Sequence, residues 1–308
     1  MAMRCVLFTI LVLAAACFAA PAHAGAQFVA SNGTDSASCT RTAPCASLAQ
    51  ALTNAAINDT VFCVDGVVGS ALSITKSVDI DCSAGRAVLR DVGINGAAIT
   101  INISVSPSDT FRTVRLRGIS VIGVGGNSRF IPKGIDIVSA AAVYIENVVV
   151  SDMAQQGIFD ERTGGQTKLF ITDTIIRNNG GTGVAIGSQG PSTIVLDNVR
   201  SENNTYGIGA AAGNNVVINR SVISGNSNAG VDGDTGAQIT VDRSIISHNN
   251  IGVQSNSSVR LSDTSIAFNA TAISGGTGSF GNNRLSGNGT TGTNLIPLGG
   301  VSSDVAQQ

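Results

Sequence analysis

Six stretches of this chain share one pattern: a short apolar strand, a polar run that holds an Asn in five of them, then a small residue, Gly in five, and a branched apolar residue. Aligned on their first strand they read VYIENVVVSDMAQQGI from Val143, LFITDTIIRNNGGTGV from Leu169, IVLDNVRSENNTYGI from Ile194, VVINRSVISGNSNAGV from Val216, ITVDRSIISHNNIGV from Ile239 and VRLSDTSIAFNATAI from Val259. The anchors Ile145, Ile171, Leu196, Ile218, Val241 and Leu261 are 26, 25, 22, 23 and 20 residues apart. An earlier copy, VRLRGISVIG, anchors on Leu116. A period in the twenties means a solenoid, whose units bury their apolar faces only against their neighbours.

Each copy alternates apolar residues, as Val143 and Ile145 do, and so places one set inward along a strand. An Asp, Asn or Arg bend follows. Five after the anchor comes Val150, Ile176, Ser201, Ile223, Ile246 or Ile266, apolar in all but Ser201, and eight after it an Asn in all but the first copy. Then a Gly opens a third strand. Three short strands and three bends per coil predict an all-β right-handed parallel β-helix of about 9–10 coils over residues 61–289. A leucine-rich repeat lacks its LxxN position here, and the GGxGxD signature of a calcium β-roll is missing.

The Asn column, Asn179, Asn204, Asn226, Asn249 and Asn269, is read as a structural ladder. Coils stack about 4.8 Å apart, so each amide can donate to one neighbour and accept from the other. Asn also tolerates the left-handed backbone that bends need. The column breaks at Met153. A hydroxyl column, Thr174, Ser221, Ser244 and Thr264, sits three after the anchor, interrupted by Val199.

The ends need covers. PCASLAQALTNAAI at Pro44–Ile57 places Leu48, Ala51, Leu52 and Ala55 at helical spacing. It predicts an amphipathic capping helix within an N-terminal segment, residues 25–60. Residues 290–308 are expected to form a C-terminal cap or tail. Residues 1–24 read as a signal peptide: a basic start at Arg4, an apolar run, and AHA before Gly25. The mature protein is therefore expected in the periplasm, at the cell surface or secreted, with no later apolar run long enough to span a bilayer. Four cysteines then remain, Cys39, Cys45, Cys63 and Cys82. They allow three pairings; export favours disulfides, and Cys39–Cys45 with Cys63–Cys82 is the favoured set.

FVASNGTDSASCTRTAPCASLAQAL at Phe28–Leu52 and SITKSVDIDC at Ser73–Cys82, followed by these coils, resemble a group of small exported bacterial proteins. These are right-handed parallel β-helix repeat proteins of the pectin-lyase-like superfamily. The resemblance implies the fold across the mature chain. It implies no single activity, because the wider superfamily includes pectate lyases, polygalacturonases, phage tailspikes and adhesins.

Two functional readings follow. A formal charge of −2 with no basic stripe speaks against nucleic acid. Cleavage of a uronate-containing polysaccharide would need paired carboxylates, or a base beside acidic residues holding Ca²⁺. The third strand supplies Asp136, Asp160, Glu161 and Arg162 as the catalytic candidates, with Arg129 and Lys133 as neighbours. Asp232 and Asp234, in GVDGDT, are the metal candidates, although DGD also reads as a turn. No NTD, GHG, RIK or GxSxG element occurs, and His248 is the one histidine beyond the signal. Arg117–Glu146, Arg177–Glu202 and Arg243–Asp263 read as pairs of surface charges between coils. The favoured expectation is a monomeric, cofactor-independent surface or extracellular protein that binds polysaccharide or a cell-surface partner. The alternative is a lyase or glycoside hydrolase, with calcium required only in the lyase case.

Overall fold

The computed structural model describes residues 25–35, 38–90, 96–123, 133–163, 165–187, 192–256 and 259–298. The expected signal peptide, Arg129 and the last ten residues of the expected C-terminal tail lie outside them. The chain winds as a parallel β-helix. Each coil contributes one strand to a first sheet of twelve strands, one to a second of ten and one to a third of ten. One full coil illustrates the path: Gln238–Asp242, Ile245–Ser247 and Ile251–Ser255 lie in the first, second and third sheets.

The core follows from alternation. In Gln238–Asp242, Ile239 and Val241 are buried while Thr240 faces outward. Ile239 stacks between Val216 and Val259, and Val241 between Ile218 and Leu261. The same register continues along the sheet, so the interior is filled by columns of like residues. A one-residue slip would turn every such column to solvent.

Two corners hold this register. Between the second and third sheets, the amide oxygen of each ladder Asn accepts from the backbone N–H of the equivalent residue one coil earlier. Asn226 N to Asn249 Oδ1 is 3.0 Å, and Asn249 N to Asn269 Oδ1 is 2.9 Å. The ladder runs from the backbone of Met153 to Asn288, one rung past the sequence reading. Between the first and second sheets, Ser221 and Ser244 continue the hydroxyl column, with Ser221 N donating to Ser244 Oγ at 3.1 Å. Val199 lacks the hydroxyl but donates its N–H to Ser221 Oγ.

The left-handed residue at these corners is not the ladder Asn, as the sequence reading had it. It is the residue before: Asn178, Asn203, Gly225, His248 and Phe268 all have φ between 55° and 68°. The ladder amides are thus selected for hydrogen bonding, and the preceding position absorbs the bend. The Gly after the ladder has its own cause. A Cβ at Gly230 would lie 2.8 Å from Asn249 Nδ2 and 2.7 Å from the Gly252 oxygen.

The N-terminal end is covered by the strand Ala26–Val29 and a helix at Leu48–Asn54. The helix is shorter than its apolar pattern suggested. Ser47 caps it by accepting from Gln50 N, and Ala55 is already extended. Leu48, Ala51 and Leu52 are buried. Disulfides join Cys39 to Cys45 and Cys63 to Cys82. Among the surface charges, Arg117 pairs with Glu146 at 2.9 Å. Glu202 instead pairs with Arg200, and Arg243 with Asp242.

The ladder predicts its own energetics. Asn249→Ala removes the acceptor of Asn226 N–H and takes one hydrogen bond each from Asn226 Nδ2, the Ile223 carbonyl and Asn269 Oδ1 inside the core. It should cost roughly 2–4 kcal/mol in denaturant unfolding. The exposed neighbour Asn250→Ala should stay within about 0.5 kcal/mol.

Candidate functional site

The third sheet carries the candidate chemistry on one outward column: Thr100, Asp136, Phe159, Ala185, Gly209, Asp232, Gln254 and Ser274. Asp136 therefore stands beside Phe159, not beside Asp160. Asp160 is the inward residue of its strand, in register with the buried Ile137 and Ile186.

This register divides the four sequence candidates into two groups. On the outer face, Lys133 Nζ lies 2.9 Å from Asp136 Oδ2 and 3.1 Å from Glu161 Oε2, and 4.5 Å from the Phe159 ring centroid. The bridging carboxylate oxygens consequently lie no more than about 6 Å apart, nearer than an inverting hydrolase pair and close enough to admit the spacing of a retaining one. Burial and the charge of Glu161 push the Asp136 carboxyl above its ordinary value, although Lys133 pulls it down. Asp136 Oδ1 is buried without a hydrogen-bond partner. Burial disfavours the Lys133 ammonium, but its hydrogen bonds and charge pairing with Asp136 and Glu161 win, and its pKa is raised. A general base needs a neutral amine near neutral pH, and Lys133 is held in the opposite state.

Asp160 and Arg162 form the second group, beneath the corner between the third and first sheets. Arg162 Nε donates to Asp160 Oδ1 at 2.7 Å and Nη2 to Oδ2 at 2.6 Å. Arg162 Nη1 donates to the carbonyls of Ala140 and Lys168. The pair is almost fully buried and ties one coil to the next. Its place under the corner keeps both groups away from a polymer on the outer face.

Asp232 lies four rungs from Asp136 on the same column, across Phe159, Ala185 and Gly209. Burial and the neighbouring Asp234 raise its pKa, opposed by a hydrogen bond from Gln254. Asp234 is exposed and opens a turn closed by Ala237 N donating to its carbonyl. Among the described residues no three His, Cys, Asp or Glu side chains gather to hold a metal ion. His248 is exposed, with its ring tilted against that of Phe268 at 5.4 Å between centroids.

The first sheet carries a surface that the sequence reading missed. Arg115, Tyr144, Phe170, Val195, Val217, Thr240 and Arg260 form one outward column across seven rungs. Tyr144 stacks on Phe170 at 5.1 Å, and Arg115 lies 4.3 Å from the Tyr144 centroid. Polar columns flank it: Thr172, Asp197, Asn219 and Asp242 on one side, Lys168, Thr193, Asn215 and Gln238 on the other. The signal was present, since these apolar residues alternate with the core residues in each first strand.

Residues 133–296, more than half of the chain, match the family model described as "Right handed beta helix region". A search of curated proteins gives no match. Among solved structures the chain is similar to pectate lyase Pel9A, with 14% identity, a TM-score of 0.52, and coverage of 88% of this chain and 78% of that one. It is also similar to the A-module of mannuronan C-5 epimerase AlgE4 of Azotobacter vinelandii, with 17% identity, a TM-score of 0.47, and coverage of 80% and 91%. At these identities the likeness is one of fold.

The raised Asp232 carboxyl has a measurable consequence. A carboxyl whose pKa is higher folded than unfolded penalises the fold above that pKa, and the penalty disappears as pH falls below the unfolded value. Asp232→Asn should therefore raise the thermal midpoint by roughly 2–4 °C at pH 7. The gain should shrink toward zero as the pH is lowered to about 4, in thermal scans across that range.

Proposed function

This chain belongs to the right-handed β-helix family, and from that premise we propose that it grips an extended polysaccharide outside the cytoplasm without cleaving it. The observation that carries this reading is the three-column strip on the first sheet. Its apolar centre can take the C–H faces of sugar rings, which pack on aromatic and aliphatic side chains. Its polar borders can take their hydroxyls. The strip is flat and long, about 29 Å over its seven rungs, which suits a polymer better than a small metabolite. The shared fold with a pectate lyase supports a glycan as the ligand. The two disulfides support an oxidising compartment, as does the signal expected in residues 1–24.

The absence of cleavage rests on the clamp at Lys133. Its ammonium occupies the space between Asp136 and Glu161, where a glycosidic oxygen would have to enter. Arg162, the other candidate base, is committed to Asp160. The alternative, a lyase or hydrolase acting at this cluster, is favoured by one feature: Asp136 is held above its ordinary pKa with Glu161 in reach.

One panel separates the two readings. The purified protein is incubated with uronate-containing and neutral polysaccharides, with and without calcium, and both retention and product ends are measured. We expect retention with no new reducing or unsaturated ends. Tyr144→Ser and Val217→Lys, the latter at a position already 43% exposed, should each weaken retention about tenfold. Glu161→Gln should leave it unchanged. New chain ends that disappear in Glu161→Gln would move the function to the third sheet.

A further inference from the structure

The corner between the third and first sheets varies in length from coil to coil. Ten residues, Ile103–Arg112, separate the strands Ala97–Asn102 and Thr113–Arg117. In the next coil only Ala140 and Ala141 separate Lys133–Ser139 from Ala142–Glu146. In the one after, seven residues, Glu161–Thr167, separate Ile158–Asp160 from Lys168–Thr172. A short corner between two long ones leaves a notch. Its floor is Val138–Ala141, and its walls are Arg112 on one side and Arg162, Thr163, Gly165, Gln166 and Thr167 on the other, around a cavity of about 410 Å³. A register shift between Ile137 and Ser139, where Val138 is the extra residue, bends the floor strand at this point. Such bulges re-aim strands and end pairing locally.

The notch is lined by two guanidinium groups, of which one is not ion-paired among the described residues. Arg162 is neutralised by Asp160. Arg112 makes no ion pair among the described residues. Its Nε and Nη2 donate to the Ile103 carbonyl at 3.2 and 3.1 Å, and Nη2 also to Ser139 Oγ at 2.8 Å. These bonds fix the guanidinium and leave Nη1 with no partner among the described residues. The loop behind it is pinned as well. The buried Asp109 accepts from Ser77 N and Oγ and from Arg112 N. Lys168, exposed and likewise without an ion pair among the described residues, begins the strand at the notch edge. It belongs to the border column of the first-sheet strip, so the notch opens beside that strip.

We propose that this notch is an oxyanion subsite: Arg112, with Lys168 at its rim, takes a carboxylate or sulfate-ester group carried by a polymer lying along the first sheet. The inference rests on the glycan-binding reading and adds to it the charge of the ligand and the group that recognises it. A guanidinium held by other bonds loses little freedom when it takes an anion. The third-sheet face, with Asp136, Glu161, Asp232 and Asp234, is less suited to such an anion, because its cation Lys133 is already held by two carboxylates.

The test is a titration of the full protein at low salt, followed by calorimetry and by amide shifts of Gly165 and Gln166. The probes are an oligogalacturonate, a sulfated oligosaccharide, their neutral counterparts of equal length, and inorganic sulfate. The acidic oligomers should bind about tenfold or more tighter than the neutral ones, with a preference that falls as salt rises. Whichever acidic oligomer binds more tightly identifies the group. Thr163→Glu with Gln166→Glu, both exposed wall positions, should remove that preference while the thermal midpoint stays unchanged. Arg112→Lys should retain part of it and Arg112→Met none. Equal binding of acidic and neutral oligomers would overturn the notch and leave the glycan reading standing. Binding of inorganic sulfate alone, or an acidic preference untouched by the double variant, would also overturn it. Failure of every oligomer to bind would remove both.

Discussion

Stacking at one coil per rung is the constraint on which everything else depends. At about 4.8 Å spacing, a side chain in one coil meets its own equivalent in the next. Each inward position must therefore tolerate a copy of itself above and below. Branched apolar residues satisfy this on the strands, as Val216, Ile239 and Val259 do. At a buried corner a polar group must satisfy itself the same way. Asn manages it because its oxygen and its nitrogen serve different neighbours: Asn249 accepts from Asn226 and donates to Asn269. A serine in that column would have one hydrogen to donate where the amide has two, and the ladder would leave carbonyls unpaired.

That constraint made the fold legible in the sequence. Inward residues repeat, so the anchors, the Asn column and the hydroxyl column can be aligned with no structure in hand. The outward face was legible only in part. Gly134 and Gly157 open equivalent strands, which places Asp136 opposite Phe159 and turns Asp160 inward. Grouping the acids by nearness in sequence, rather than by alternation from that Gly, merged an outward-facing cluster with an inward-facing staple. Lys133 stands before its Gly, outside the repeating pattern, and its role between two carboxylates follows only from distances. The notch is harder still to read. It belongs to no residue pattern and arises from the difference in corner length between three successive coils.

The polar groups in the core also differ in what they stabilise. Asp160 and Arg162 are charged and buried, and the bidentate geometry with two further carbonyl acceptors offsets much of their desolvation. Replacing either alone would strand the other. Asp136 and Asp232 are different. Each keeps one buried oxygen without a partner, and each is held above its ordinary pKa by burial. Of the two, only Asp136 has a cation among the described residues, Lys133, to offset that cost.

The three corners of the coil have different freedom. Two are locked: the hydroxyl column and the Asn ladder each repeat one kind of hydrogen bond at a fixed step, preceded by a left-handed position such as Arg243 or His248. An insertion there would break hydrogen bonds in two neighbouring coils at once. The third corner carries no ladder, and its length ranges from the ten residues of Ile103–Arg112 to the two of Ala140–Ala141. Insertions there disturb only the loop that contains them. Residues selected for recognition, rather than for stacking, can accumulate at that corner and on the outward columns beside it. Arg112 and Lys168 meet at that boundary, where the solenoid can change its surface without changing its register.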